Sequence, residues 1–298
     1  MPAPMNSGAN AYFVQKDLSH IFGTSYSEGE SMLPALFDMR EPDQAIVYEA
    51  LDGEPGAISE FEGRVTYDEV RQSYRKSVEE VEYAGGVAVT KKFRRADLYG
   101  VVRRRVSKLA RRFRAKREAI GADIFNGAFT TTLTADALSL CNSAHTSDVG
   151  GPSQSNTGTS AFSPANVEAT RRLIIAFLDN RGEFNEEHPD LLLLPTGLEE
   201  QGYELIKTKG KVDTAMNNSN FHEGKYKMAV WHNWLTDSNN WFFCISRVMK
   251  ELLGYYEWNP TEFFYAGEMD TLVTKHVGYM SVNASAADWR FLYGHNVS

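Results

Sequence analysis

At 298 residues, 42% hydrophobic and 23% charged, the chain has the composition of a globular protein with ample material for a core, not of a disordered one. Its longest apolar run, Leu173 to Leu178, is far shorter than the roughly eighteen residues needed to cross a bilayer, and Met1 to Asn10 lacks the basic-then-apolar order of a signal peptide. The formal charge is −8, and the two cysteines, Cys141 and Cys244, are too few for a disulfide framework and sit at no metal spacing, so both are expected as small buried hydrophobes.

The first thirty residues read as an extended arm with a short amphipathic patch at Tyr12, Val14, Leu18, Ile21 and Phe22, which needs a partner surface. Ile46-Val47-Tyr48 is expected as a strand, followed by a turn at Asp52-Gly53-Glu54-Pro55-Gly56. Ser77 to Tyr83 is expected to meet Val87 to Thr90 in a hairpin across Ala84-Gly85-Gly86, although Val70, Tyr74, Val78 and Val81 also fit helix spacing. The stretch from Arg64 to Thr90 has too few apolar residues for a core of its own and must lie on another surface.

Lys91 to Arg117 follows, with thirteen Lys or Arg residues and one acid, Asp97. Its net +12 leaves −20 on the rest of the chain. Leu98, Val102, Val106, Leu109, Phe113, Ile120 and Ile124 form one apolar stripe at helical spacing. The pattern predicts a helix over 93–126, roughly 50 Å long, with Gly127 as its stop. After a loop region over 130–164, Ser163-Pro164 opens a helix whose apolar face takes in Val167, Leu173, Ile174 and Phe177 and which ends before Arg181-Gly182. Leu191 to Leu194 is a buried strand closed by Pro195, and Leu198 to Ile206 a helix. Ala229 to Trp231 and Trp241 to Ile245 are strands around the Asp237 to Asn240 turn, and Met269 to Val282 is a long strand. Helices and strands mix without a regular βαβ repeat, which places the chain in the α+β class.

Little in the sequence points to catalysis. Glycine-rich phosphate loops and a nucleophile elbow are absent, and acid pairs such as Glu79-Glu80, Glu186-Glu187 and Glu199-Glu200 read as solvated faces. His222 and His232, ten residues apart around a Gly-Lys turn, are read as surface or core histidines rather than metal ligands. No cofactor is expected.

The basic helix carries three readings. It is a solvated face balanced by acids of its own chain, or a surface that pairs with acids of neighbouring subunits, or a non-specific phosphate contact. Charge pairing takes the larger share, and few aromatics are interleaved for base stacking. The candidates for contact with a neighbour or with DNA are Arg103, Arg104, Arg105, Lys108, Arg111, Arg112, Arg114, Lys116 and Arg117.

Several short stretches, in this order, resemble the major capsid protein of tailed bacteriophages, closest to Mu-like major head subunits, whose shell fold is called the Hong Kong 97 fold. Gly63-Arg64-Val65-Thr66-Tyr67-Asp68 with Glu82-Tyr83-Ala84-Gly85-Gly86 is similar to the extended loop of that family. Ile124-Phe125-Asn126-Gly127-Ala128-Phe129 resembles the end of its spine helix. Asp136-Ala137-Leu138-Ser139 leading to Ala144-His145-Thr146 resembles the next segment, where the family often has Gly in place of Ala137. Pro189 to Pro195 with Leu198-Glu199, then Trp241-Phe242, then Asp288-Trp289-Arg290 complete the match.

The resemblance implies an arm over 1–45, an extended loop over 46–92, a spine helix and peripheral domain over 93–162, an axial domain over 163–260, and a return strand with the C-terminal segment over 261–298. It implies self-assembly through hexamers and pentamers into an icosahedral virion shell around double-stranded DNA, built in the host cytoplasm with no membrane. Packaged DNA is contacted non-specifically, and scaffolding and portal are separate proteins. Arg64, Tyr67, Arg71, Tyr74, Arg75, Lys76 and Tyr83 become candidate interface residues of the extended loop. Some members cross-link through a loop lysine and a neighbour's Asn; Lys76, Lys91 and Lys92 lie in or near the loop, yet non-covalent assembly is the expectation. The alternatives are a nucleic-acid-binding protein that uses Lys91 to Arg117 directly, and a protein nanocompartment shell of the encapsulin type.

Overall fold

In the computed structural model, which describes residues 18–52, 60, 72–95, 100–147, 151–184, 187–210, 219–268 and 270–297, helices and strands alternate irregularly, in keeping with an α+β chain. A helix over 18–27 (α1) and α2, Leu33–Leu36, precede strands β1, Asp38–Arg40, β2, Ile46–Asp52, β3, Gln72–Glu79, and β4, Glu82–Thr90. The short α3, Lys91–Arg95, and the long α4, Val101–Asn126, come next. Then follow β5, Thr157–Gly158, α5, Pro164–Ile175, β6, Leu191–Leu194, α6, Glu199–Lys207, β7, Lys227–Val230, and β8, Trp241–Cys244. The chain ends with α7, Ser246–Leu252, and strands β9, Leu253–Glu268, β10, Val273–Ala286, and β11, Leu292–His295.

One half of the molecule is a helix laid on a sheet. The sheet runs β1-β9-β10-β4, with β10 antiparallel to both neighbours and β1 parallel to β9. Helix α4 sets Val102, Val106, Phe113, Ile120 and Ile124 toward it, as the apolar spacing requires. Close contact is possible because β10 has Gly278 under the helix: a Cβ there would come within 2.5 Å of Phe113 Cε2. Helix α1 covers one flank, where Phe22 stacks on Phe263 at 4.6 Å and meets Phe113 edge-on at 6.3 Å. The amphipathic patch of the arm thus finds its partner on its own chain through Leu18, Ile21 and Phe22. Tyr12 and Val14 lie outside the described residues.

The other half is a five-stranded sheet, β5-β11-β8-β6-β7, with all residues of β6 and β8 buried. Helix α5 starts where expected, with the Ser163 hydroxyl accepting from the Asn166 N–H at 3.2 Å and Pro164 next to it. The two halves share one core: Phe125 of α4 meets Phe242 of β8 at 5.5 Å and Trp231 at 6.3 Å. Cys141 and Cys244 are free and buried, as expected, and burial pushes both thiols upward in pKa.

Several expectations need correction. The long helix is not continuous from 93: Gly100 sits at φ 63°, a left-handed position, and the described helix starts at Val101. Ala84-Gly85-Gly86 is not a turn but the middle of β4, and β3 and β4 do not pair. β3 pairs with β2 in a separate ribbon, and β4 pairs with β10. Gly86 is needed there because a Cβ would come within 2.8 Å of the His276 carbonyl oxygen across the ladder. Strand pairing also settles the helical alternative against helix at Tyr74 and Val78 in β3; Val81 lies between β3 and β4, and Val70 lies outside the described residues. Strands β7 and β8 flank the Asp237 turn but are separated by β6, to which both pair. The helix opened by Pro164 stops at Ile175, and its Leu173 is 48% exposed rather than on the buried face. The long strand expected from Met269 runs over Val273–Ala286, and its partner β9 was not foreseen. Pro260 hides β9 in the sequence; it lies in a bulge, between the pairs Tyr279 with Glu262 and Ser281 with Asn259.

Ala137 holds φ 62°, in the left-handed region, between Asp136 and Leu138. An L-residue there is strained by its Cβ, whereas glycine is not. Ala137→Gly is therefore expected to stabilise the chain by about 0.5–1 kcal/mol, the relief exceeding the added freedom of the unfolded state. A thermal melt checks this, and a lowered melting temperature would refute it.

Candidate functional site

The cations of α4 divide into two sets. On the flank toward α1 and β9, Arg117 is spent inside the chain: its guanidinium donates to Glu257 Oε2 at 2.8 Å and to the Tyr26 hydroxyl at 2.5 Å. Burial would lower its pKa, but Tyr26, Glu257 and Tyr255 together raise it. Arg117 is thus paired within its own chain, its side chain 19% exposed. Arg114 is half-buried, and Arg111 pairs with Glu28 at 3.1 Å at the surface. Ser25 and Ser107 hydroxyls meet at 2.8 Å, so the segment over 18–31 runs along this flank. Glu118 is buried there too, accepting from Trp231 Nε1 at 3.0 Å and from the Ser31 hydroxyl.

On the opposite flank Arg104, Arg105, Lys108 and Arg112 are exposed, and none has a carboxylate partner among the described residues. Arg103 is exposed as well. Lys116, also exposed, has its ammonium 5.0 Å from the ring centre of Tyr83, a cation–π distance. Own-chain carboxylates therefore neutralise Arg111 and Arg117 but leave a row of charge facing outward.

The β2–β3 ribbon is fastened at its root by charged groups turned inward. Glu49 is 7% exposed and accepts from the Tyr256 hydroxyl at 2.5 Å and from the Ser285 hydroxyl at 2.8 Å. Its cross-strand partner is Lys76, whose ammonium donates to the carbonyls of Leu133 at 2.7 Å and Ala286 at 3.1 Å. Burial lowers the Lys76 pKa, with Glu49 opposing. Arg75 lies over the Tyr48 ring at 3.6 Å on the exposed side, and Tyr74 is half-buried. Arg64, Tyr67 and Arg71 lie outside the described residues.

A second polar cluster was missed entirely. His145 is buried between Asp136, whose Oδ2 is 2.6 Å from Nδ1, and Asn156, whose Oδ1 is 3.2 Å from Nε2, and it stacks on Trp289 at 4.5 Å. Three loop residues at irregular spacing give no periodic signal. The one clue was Asp136-Ala137-Leu138-Ser139, a turn sequence with a carboxylate at its head. His222 is buried against the Tyr226 hydroxyl at 3.3 Å, whereas the His232 side chain is 54% exposed beside Glu199, so the two are held apart in different surroundings. Among the described residues no group of His, Cys, Asp and Glu is arranged to hold a metal ion, and no helix is long and apolar enough to cross a membrane.

A firm two-layer body, a fastened ribbon and charge left open on a helix define a structural subunit built to associate. The comparisons agree. The family model described as phage capsid protein matches residues 74–294. The capsid of Ralstonia phage GP4 superposes with a TM-score of 0.61 at 10% identity, over 90% of this chain and 89% of that one. The procapsid of bacteriophage JBD30 gives 0.55 at 12% identity, over 97% and 76%. A virus-like particle from Pyrococcus furiosus gives 0.54 at 9% identity, over 94% and 98%. No curated protein sequence matches the chain.

The chain belongs to the phage capsid protein family. It has the Hong Kong 97 fold of tailed-phage shells, and its role is that of a major capsid protein, a structural component of the virion. The match is to phage capsid proteins as a class and does not single out the Mu-like branch.

Proposed function

We propose that the chain assembles through pentamers and hexamers into a closed icosahedral shell around double-stranded DNA, in the host cytoplasm, with scaffolding and portal supplied by separate proteins. The family match over residues 74–294 carries this reading. The fold supports it: a two-layer body carrying a ribbon fastened through Glu49 and Lys76 suits heterologous contacts that close into rings. On this reading 1–45 is the arm, 93–162 the spine and peripheral region, 163–260 the axial region and 261–298 the return segment. The extended loop narrows from 46–92 to the β2–β3 ribbon and the residues between its strands, since β4 belongs to the four-stranded sheet.

Electron microscopy with size-exclusion chromatography of the purified chain, at low and high salt, tests it. Rings of five or six subunits, hollow tubes or closed shells are expected. A monomer at every concentration and salt would refute the proposal.

A further inference from the structure

The helix-on-sheet half of the molecule has two outer faces of opposite charge. On one, Arg104, Lys108 and Arg112 recur every fourth residue of α4 with Arg105 beside them, all exposed and without a carboxylate partner among the described residues. On the other, the side of the sheet turned away from α4 presents exposed Glu82 and Glu262 around an open strip of Ala84, Ala88 and Phe264, with Glu268 at its end paired to Lys275 at 3.1 Å. Tyr279 stands among these acids: it donates to Glu82 Oε1 at 2.6 Å, and that bond, with Glu82, Glu80 and Glu262 close by, pushes its pKa up to about 12.

We propose that the row Arg104, Arg105, Lys108 and Arg112 is a phosphate-backbone contact for double-stranded DNA and faces the interior of the shell. This rests on the capsid reading. In a shell one subunit thick, copies meet edge to edge, so the acidic sheet face of one copy cannot reach the cationic row of the next; the two faces point to inside and outside. A polyanion enclosed by the shell favours the cationic face inward. The row spans about 12 Å along the helix, over which one DNA strand presents three to four phosphates at ~3.4 Å each. No aromatic side chain stands between these cations, so the contact reads the backbone and not the bases.

The test uses the full-length chain as free subunits with a fluorescent 30-base-pair duplex of arbitrary sequence, titrated between 50 and 200 mM salt. With four phosphates neutralised, wild-type affinity falls about 100-fold across this range, a log–log slope near −3.6. The variant with Arg104→Gln, Arg105→Gln, Lys108→Gln and Arg112→Gln loses about three to four units of that slope and still forms rings or shells in DNA-free buffer. A second variant that keeps charge, Arg104→Lys, Arg105→Lys and Arg112→Lys, retains the slope. An unchanged slope in the Gln variant overturns the proposal. So does a Gln variant with wild-type melting behaviour that no longer assembles without DNA, which assigns the row to acids of a neighbouring copy. Failure of the wild-type chain to assemble at all would sink the capsid reading and leave the duplex titration to be judged alone.

Discussion

His145→Ala is expected to destabilise the subunit by roughly 2–5 kcal/mol, because it leaves one oxygen of a buried carboxylate unpaired and opens a cavity beside Trp289. For a chain of this length that is a fall on the order of 10 °C in melting temperature. The Asp136 side chain is 4% exposed and that of His145 0%, so water does not replace the lost contact. The Asn156 amide nitrogen is committed to the Leu140 carbonyl at 2.8 Å, with the Leu292 carbonyl at 3.3 Å, so its oxygen is the end that faces His145 Nε2. Removing the imidazole therefore strands Asp136 Oδ2 and unstacks Trp289 in one step, while Asn156 Oδ1 keeps the Asn142 N–H at 2.8 Å. Asp136→Ala on the His145→Ala background should cost much less than the two single losses added together, since the stranded charge goes with it. The acid limb is also predictable. Burial alone would raise the Asp136 carboxyl, but hydrogen bonds from His145, Thr134 and the Leu138 N–H outweigh it and hold the pKa below its usual 3.8. A carboxyl lowered in the folded state contributes stability above its unfolded value and loses it as pH falls through the folded one. The wild type should accordingly lose this contribution only below about pH 4, and His145→Ala should flatten that limb. A melt of His145→Ala within 1 °C of wild type would refute the cluster's importance.

How far the sequence reaches is clear from where it stopped. Periodic burial was legible: Val102, Val106, Phe113, Ile120 and Ile124 all pack where the stripe placed them, and Leu191 to Leu194 is wholly buried. Local caps were legible too, as at Ser163-Pro164. What failed were features decided by partners distant in sequence. Gly85 and Gly86 carry the composition of a hairpin turn, yet Gly86 is there to let β10 come close, and a Cβ at Gly85 would make only ordinary contact with Phe113 at 3.7 Å. A glycine pair signals either a turn or a close approach, and composition alone does not separate them. For the candidate site, charge density does not tell which cations of the helix are paired within the chain. Arg117 and Arg112 look alike in sequence; Glu257, 140 positions away from Arg117, makes the difference. The acids of the outer sheet face come from β4 and β9, which meet only through β10, so their convergence had no linear signature.

Phe113 and Gly278 set the thickness of the helix-on-sheet half, and together they give the second large expected effect. Phe113 is 7% exposed beneath α4, and Phe113→Ala should cost about 3–5 kcal/mol through lost burial and the cavity left behind. Gly278→Val attacks the same contact from the sheet. A Cβ at Gly278 would stand 2.5, 2.9 and 3.0 Å from three atoms of the Phe113 ring, so a branched side chain must push the helix outward, at about 1–3 kcal/mol or more. Valine is otherwise better suited to a strand than glycine, which makes the ring contact the sole source of the loss. In the double variant the valine methyls occupy space the ring has vacated, so the combined cost should fall short of the sum by about 1–2 kcal/mol. Chemical denaturation of the wild type and three variants measures the coupling directly, and additive costs would mean that helix and glycine do not meet in the folded subunit. The same spacing holds the cationic row and the acidic sheet face on opposite sides of one rigid layer. Gly278→Val alone should therefore impair shell assembly beyond what its stability loss explains, and the double variant should recover part of it.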